Sequence, residues 1–249
     1  MIFPLSDDDR HLIGPGKVTI ALIVLNVLLF GWQSLNPEFT LGWSVIPKEI
    51  VTGQDLVEPQ IVQGPQGAIE VPQAPGPALI YFTIFSAMFM HGGLGHIGGN
   101  MLYLWIFGDN VEHRFGPMKF LLFYLFSGIA ATVAQVALGP DSVIPNLGAS
   151  GAISGVMGAY LVLFPKNRVN SIFLFHMVSV PAVVVLGMWI AMQLFSGWGT
   201  VGQNSQTGGV AYAAHIGGFV AGVVAGLGAR LMMKKEPENR SYEFYTIKG

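Results

Sequence analysis

The chain has 249 residues, of which 52% are hydrophobic and 10% charged, whereas soluble domains carry about a quarter charged residues. That balance excludes an ordinary soluble domain, and a net charge of −2 leaves no basic footprint for nucleic acid. Cysteine is absent, which excludes disulfides, thiolate metal sites and cysteine nucleophiles together.

A polar tail, residues 1–16, precedes the first apolar run at 17 to 35. That run follows Asp7, Asp8, Asp9 and Arg10 and lacks a small-residue cleavage site, so it reads as a retained signal anchor. Residues 36 to 78, rich in Pro, Gly and Gln, read as a long connection with little regular structure. The apolar stretch 79 to 90 is too short to cross about 30 Å of hydrocarbon and is expected to be interfacial or re-entrant; with it, the first external loop covers 36 to 94. Five more apolar runs follow at 95 to 108, 117 to 138, 150 to 165, 170 to 195 and 210 to 233, then a polar tail at 234–249. The expected fold is an all-α bundle of six transmembrane helices forming one membrane domain, 17–233.

Basic residues predict the orientation through the positive-inside rule. With a cytoplasmic N-terminus, Arg10, Lys17, Arg114, Lys119, Lys166, Arg168, Arg230, Lys234, Lys235, Arg240 and Lys248 share one face, and of the 12 basic residues Lys48 alone falls outside. Both termini are therefore expected in the cytoplasm, and a bacterial cell membrane is the expected location.

Polar groups inside spans are costly, which makes each a functional candidate. His96, Asn100, Ser150 and His215 stand out. Counted along their helices at about 1.5 Å per residue, Ser150 lies about 24 Å from Lys166 and His215 about 22 Å from Arg230. Asn100 and His96 lie about 21 and 27 Å from Arg114, so all four can share a layer nearer the outer face. Pro145, Asn146 and Gly148 interrupt regular helix before Ser150. The helix should start there with a submerged N-terminus, its preceding turn flooring a wet cavity. Such an N-terminus carries free N–H groups and partial positive charge, which suits a developing oxyanion. Ser150, Ser154 and Gly158 recur every fourth residue, and Gly218, Gly222 and Gly226 follow His215, so two helices can approach closely.

At these residues the sequence resembles the rhomboid intramembrane serine proteases. The matching text is YFTIFSAMFMHGGLGHIGGN at 81 to 100, VEHRFG at 111 to 116, GASG at 148 to 151 and AHIGGFVAG at 214 to 222. The resemblance implies a serine endopeptidase acting through a Ser–His dyad, with Ser150 as nucleophile and His215 as base. It also implies oxyanion support from His96 and Asn100, and a structural role for Glu112, Arg114 and Gly116. Gly148, Gly151, Gly218 and Gly222 belong to the same motifs and are expected to allow close helix packing at the site. The expected partners are the lipid bilayer and, because Ser150 lies several ångströms below the outer face, single-span membrane proteins cut near their outer end; no metal or other cofactor is expected. Two departures stand out. Ser154 occupies the place where many relatives carry an aromatic residue against the histidine, and Leu79 and Ile80 replace a frequent Trp-Arg pair.

Serine needs a base before it can attack, and neutral histidine suits that task. His96 and Asn100, four apart on one helix, can aim imidazole and amide at one spot. No third acidic member is visible, because Asp109 belongs near the cytoplasmic end. His91 with His96 has poor metal-ligand spacing, and no HExxH motif occurs. His11, His113 and His176 read as surface or structural residues. Two other functions share the intramembrane polar groups, a small transporter and a catalytically silent adaptor of the same fold; against the transporter, no inverted repeat is found.

Overall fold

The computed structural model describes residues 3–8, 14–64, 67–198 and 211–232. The C-terminal tail, residues 199–210, which hold most of the loop expected before the last span, and the basic residues Arg10, Lys234, Lys235, Arg240 and Lys248 lie outside the described residues, as does His11. Strand β1 spans Phe3–Asp7, and helix α1, Lys17–Ser34, begins after the Gly14-Pro15-Gly16 breaker. The α1 N-terminus is capped from elsewhere: the Glu112 carboxylate accepts the Val18 and Thr19 N–H groups at 2.9 and 2.7 Å and the Thr19 hydroxyl at 2.9 Å. A buried carboxylate on free N–H groups at a positive helix end accounts for an acidic residue at this depth.

The connection after α1 holds more regular structure than its Pro and Gly content suggests. Helices α2 (Pro37–Gly42) and α3 (Pro47–Thr52) each start on a proline, which is pre-organised for a first helical turn, and β2 (Gln60–Gly64) and β3 (Gly67–Val71) form an antiparallel hairpin. The apolar stretch that follows is a short helical segment, Ile80–Phe89, whose middle turn is α4 (Thr83–Ser86). At ten residues it reaches only about 15 Å.

Helices α5 (Leu94–Phe115) and α6 (Pro117–Leu138) are joined by Gly116 alone. Its φ of +80° is left-handed backbone open to glycine, and Pro117 opens the next helix. Helix α7, Ser150–Leu163, is surrounded by protein along most of its length. After it comes a correction to the expected span at 170 to 195. Residues Arg168–Phe173 and His176–Pro181 are antiparallel strands β4 and β5, β1 pairs with β4, and the helix α8 begins only at Ala182 and ends at Trp198. Apolar content alone does not distinguish a strand from a helix, and Pro181 cannot donate the N–H that a continuous helix would need there. Helix α9, Tyr212–Met232, completes the chain described.

The protein is thus predominantly helical, and α1, α6 and α9 are long and apolar enough to cross a membrane. Helices α7 and α8 are apolar but shorter. Helix α5 has 22 residues and carries His96, Asn100, Asp109, Asn110, Glu112, His113 and Arg114. The core lies where α5, α6 and α7 meet, around Leu104, Phe107, Phe120, Tyr124, Ile153, Val156 and Tyr160. Phe107 and Tyr160 pack edge to face with centroids 5.0 Å apart, and the Tyr160 hydroxyl donates to Asp7 of β1, tying the N-terminal strand to the far end of α7.

Helices α7 and α9 pack backbone to backbone. A methyl group on Gly218 would collide with the Gly151 carbonyl, one on Gly222 with Gly155, and one on Gly158 with Phe219 and Val223. The ridge on α7 is therefore Gly151, Gly155 and Gly158, not the expected Ser150, Ser154 and Gly158. Ser154 is buried beside that ridge, with its hydroxyl donating to the Ser150 carbonyl at 2.6 Å.

Candidate active site

The segment before α7 is held in place by the first loop and by Ala87. Val45 and Asn146 exchange backbone hydrogen bonds of 2.9 and 2.7 Å, Lys48 N–H reaches the Ser142 carbonyl at 3.0 Å, and Gly148 N–H reaches the Ala87 carbonyl at 2.8 Å. Gly148 is a glycine for two reasons. Its φ is +132°, and an added Cβ would stand 2.8 Å from the His96 ring. Ser150 is the first residue of a 14-residue helix that spans only about 21 Å. Its first N–H groups have no carbonyl one turn earlier to bond.

His215 sits in the first turn of α9, and its Nε2 lies 2.8 Å from the Ser150 Oγ across 65 residues of sequence. The other ring nitrogen, Nδ1, lies 2.8 Å from the Gln193 Oε1 on α8. The Trp189 ring, one turn earlier on that helix, packs on the imidazole with centroids 5.7 Å apart at 38°. Trp189 thus supplies from α8 the aromatic packing that Ser154 does not supply from α7.

His96 stands on the other side of Gly148. Its Nδ1 accepts the Gly92 N–H at 3.2 Å, so the proton of the neutral ring belongs on Nε2, which faces Gly148 and the Ser150 side. Asn100 is buried one turn further along α5, and its Nδ2 has no partner among the described residues. His91 lies close to His96, ring centroids 5.2 Å apart, but neither of its buried nitrogens has a partner among the described residues. Its backbone is held by Gln33, which accepts the His91 N–H at 2.8 Å and donates to its carbonyl at 2.6 Å. Among the described residues no cluster of three His, Asp or Glu side chains could hold a metal ion. Asp109 lies a long way down α5, beside Asn110, remote from this constellation.

A cavity of about 50 Å³ opens beside Ser150, lined by Met88, Gly128, Ala131, Thr132, Gln135 and Gly148 among others. Asn146 and Leu147 also line it, so the turn before α7 does border a cavity. Sequence reasoning missed Gln193 and Trp189. The signal for Gln193 was present, since an amide within the otherwise apolar run MWIAMQLF is as costly in a span as His96, Asn100, Ser150 or His215. Trp189 gave no such signal, being one aromatic in an apolar helix.

The chain is similar in sequence to several known proteins. The chain is 32% identical over 166 residues to Rhomboid protein 1, mitochondrial, of Saccharomyces cerevisiae, covering 64% of this chain and 44% of that one. It is 31% identical over 146 residues to Rhomboid protease GluP of Bacillus subtilis, covering 58% of this chain and 25% of that one. It is 31% identical over 153 residues to the human Presenilin-associated rhomboid-like protein, mitochondrial, covering 60% and 38%. The chain therefore spans less than half the length of each of these relatives. The Rhomboid domain family matches residues 80–231, which is more than half of the 249 residues and holds Ser150, His215, His96 and Asn100 together. With the motifs in order and the match spanning α5 to α9, the chain belongs to the rhomboid family.

Proposed function

We propose that the chain is an intramembrane serine endopeptidase that cuts membrane proteins through a Ser150–His215 dyad. The observation that carries the reading is the 2.8 Å approach of Ser150 Oγ to His215 Nε2 at the N-terminus of a short, enclosed helix. His215 Nε2 takes the hydroxyl proton as Oγ attacks the scissile carbonyl carbon, and the carbonyl oxygen becomes an oxyanion. Asn100 Nδ2, the His96 Nε2–H and the first N–H groups of α7 are the donors available to it. The imidazolium then protonates the leaving amine. Water, deprotonated by the same ring, attacks the acyl ester, and the new acid leaves as Ser150 recovers its proton. His96 is exposed, which supports entry of that water from the outer side.

The cavity beside Ser150 fits a small side chain on the acyl side of the cut, because Gly128 and Ala131 leave about 50 Å³ and Met88 closes on Gly128. Six spans, α1 and α5 to α9, with both ends on the basic side, place Ser150 several ångströms below the outer surface. A substrate reaches that depth only as unwound backbone, so the proposed substrates are single-span proteins with Gly, Ser or Pro near the outer end of the span. A bacterial and a mitochondrial relative both match, and the outer face is defined here as the side opposite the basic residues. A fluorophosphonate probe tests the nucleophile: the parent chain is expected to be labelled and Ser150→Ala not. Equal labelling of both would remove Ser150 from the mechanism.

A further inference from the structure

We infer that Gln193 is a positioning residue for the reaction, fixing both the tautomer and the rotation of His215. This rests on the protease reading above. A histidine can accept a serine proton at Nε2 only if that nitrogen carries a lone pair, so the neutral ring must hold its proton on Nδ1. A proton on Nδ1 buried among helices needs an acceptor. The Gln193 Oε1, 2.8 Å away, provides it, and Gln193 is itself only 9% exposed. Trp189, four residues earlier on the same face of α8, packs on the ring and limits its swing. The base is thus held from three helices: α9 carries it, α7 presents Ser150 to one nitrogen, and α8 bonds the other. His96 is a titratable side chain that faces the site across Gly148.

A neutral amide orients the imidazole without the charge that an acidic third member would supply. It stabilises the imidazolium less than a carboxylate does, but it also avoids placing a second ionisable group inside the span. A glutamine that served only its own bonding would leave the His215 tautomer indifferent to its loss, and the two roles separate on that point.

The test is ¹⁵N-histidine NMR of the full chain in nanodiscs, with His215→Ala identifying the signal, alongside kinetics and pH profiles of Gln193→Leu and Gln193→Glu. In the parent, His215 is expected to carry its proton on Nδ1. Gln193→Leu should lose that Nδ1–H state and lower kcat by about 10- to 100-fold at unchanged KM, the usual scale for a lost partner behind a working histidine. Gln193→Glu keeps an acceptor in place, so it should restore the Nδ1–H state and most of kcat. Its carboxylate also favours the imidazolium, which moves the acid limb of the rate profile to higher pH. Retention of the Nδ1–H state and of the parent's kcat in Gln193→Leu would overturn the inference, as would a fall in kcat with the tautomer unchanged. A parent that shows the Nδ1–H state but cleaves nothing would sink the protease reading while leaving the bond itself intact.

Discussion

Asn100 ends in an amide nitrogen that is buried and bonded to nothing among the described residues. Leaving such a donor unmade costs about 1–3 kcal/mol, and in the proposed mechanism the oxyanion is its partner. Asn100→Ala is therefore expected to leave thermal stability unchanged or slightly raised while lowering kcat by about 10²- to 10³-fold, the scale for one lost oxyanion donor. Parallel melting and turnover measurements check this, and an unchanged kcat would remove Asn100 from the site. The four polar groups were legible in the sequence because hydrocarbon makes any buried polar atom conspicuous. The bond between Gln193 and His215 was not. Whether that amide faces α9 or lipid depends on where α8 starts and how it is rotated, which the β4–β5 hairpin sets through Pro181.

At the scale of elements, start points that rest on breakers were readable, and elements that rest on partners were not. Helix α7 begins at Ser150, as Pro145, Asn146 and Gly148 indicate, whereas β4 and β5 look like part of an apolar span until β1 is known to pair with them. The first loop was opaque for the same reason: its order comes from contacts such as Gln73 Nε2 donating to the Val143 carbonyl at 2.8 Å. Glu49 in α3 sits within that loop at 1% exposure, with one oxygen accepting the Leu56 N–H at 2.8 Å. Burial, reinforced by the nearby Asp55 charge, pushes its carboxyl up from 4.5 to about 7. A carboxyl that holds its proton more tightly when folded stabilises the loop fully below its ordinary titration range. That contribution is lost as pH rises through about 7. Hydrogen exchange of residues 45–56 should accordingly be slower at pH 5 than at pH 8 after correction for intrinsic rates, and Glu49→Gln should flatten the difference. A difference that survives in Glu49→Gln would assign the pH response to another group.

Across the whole molecule, the basic residues and the depth of the site make one connected claim. If α1 and α5 to α9 all span, a reporter fused after Gly249 should sit on the basic side of the membrane and one inserted near Gln63 on the other; a C-terminal reporter on the opposite side would remove the six-span arrangement. The α7–α9 contact between glycine ridges brings Ser150 and His215 together, and in the proposed six-span arrangement the dyad faces the outer half of the bilayer. The most direct test is cleavage in liposomes of a single-span substrate with a small residue and a helix breaker near its outer end. Products are mapped by mass spectrometry for the parent and for Ser150→Ala. The account predicts one cut after the small residue by the parent, no cut by Ser150→Ala, and no effect of a metal chelator. Parent-level cleavage by Ser150→Ala, or abolition of cleavage by the chelator, would contradict it.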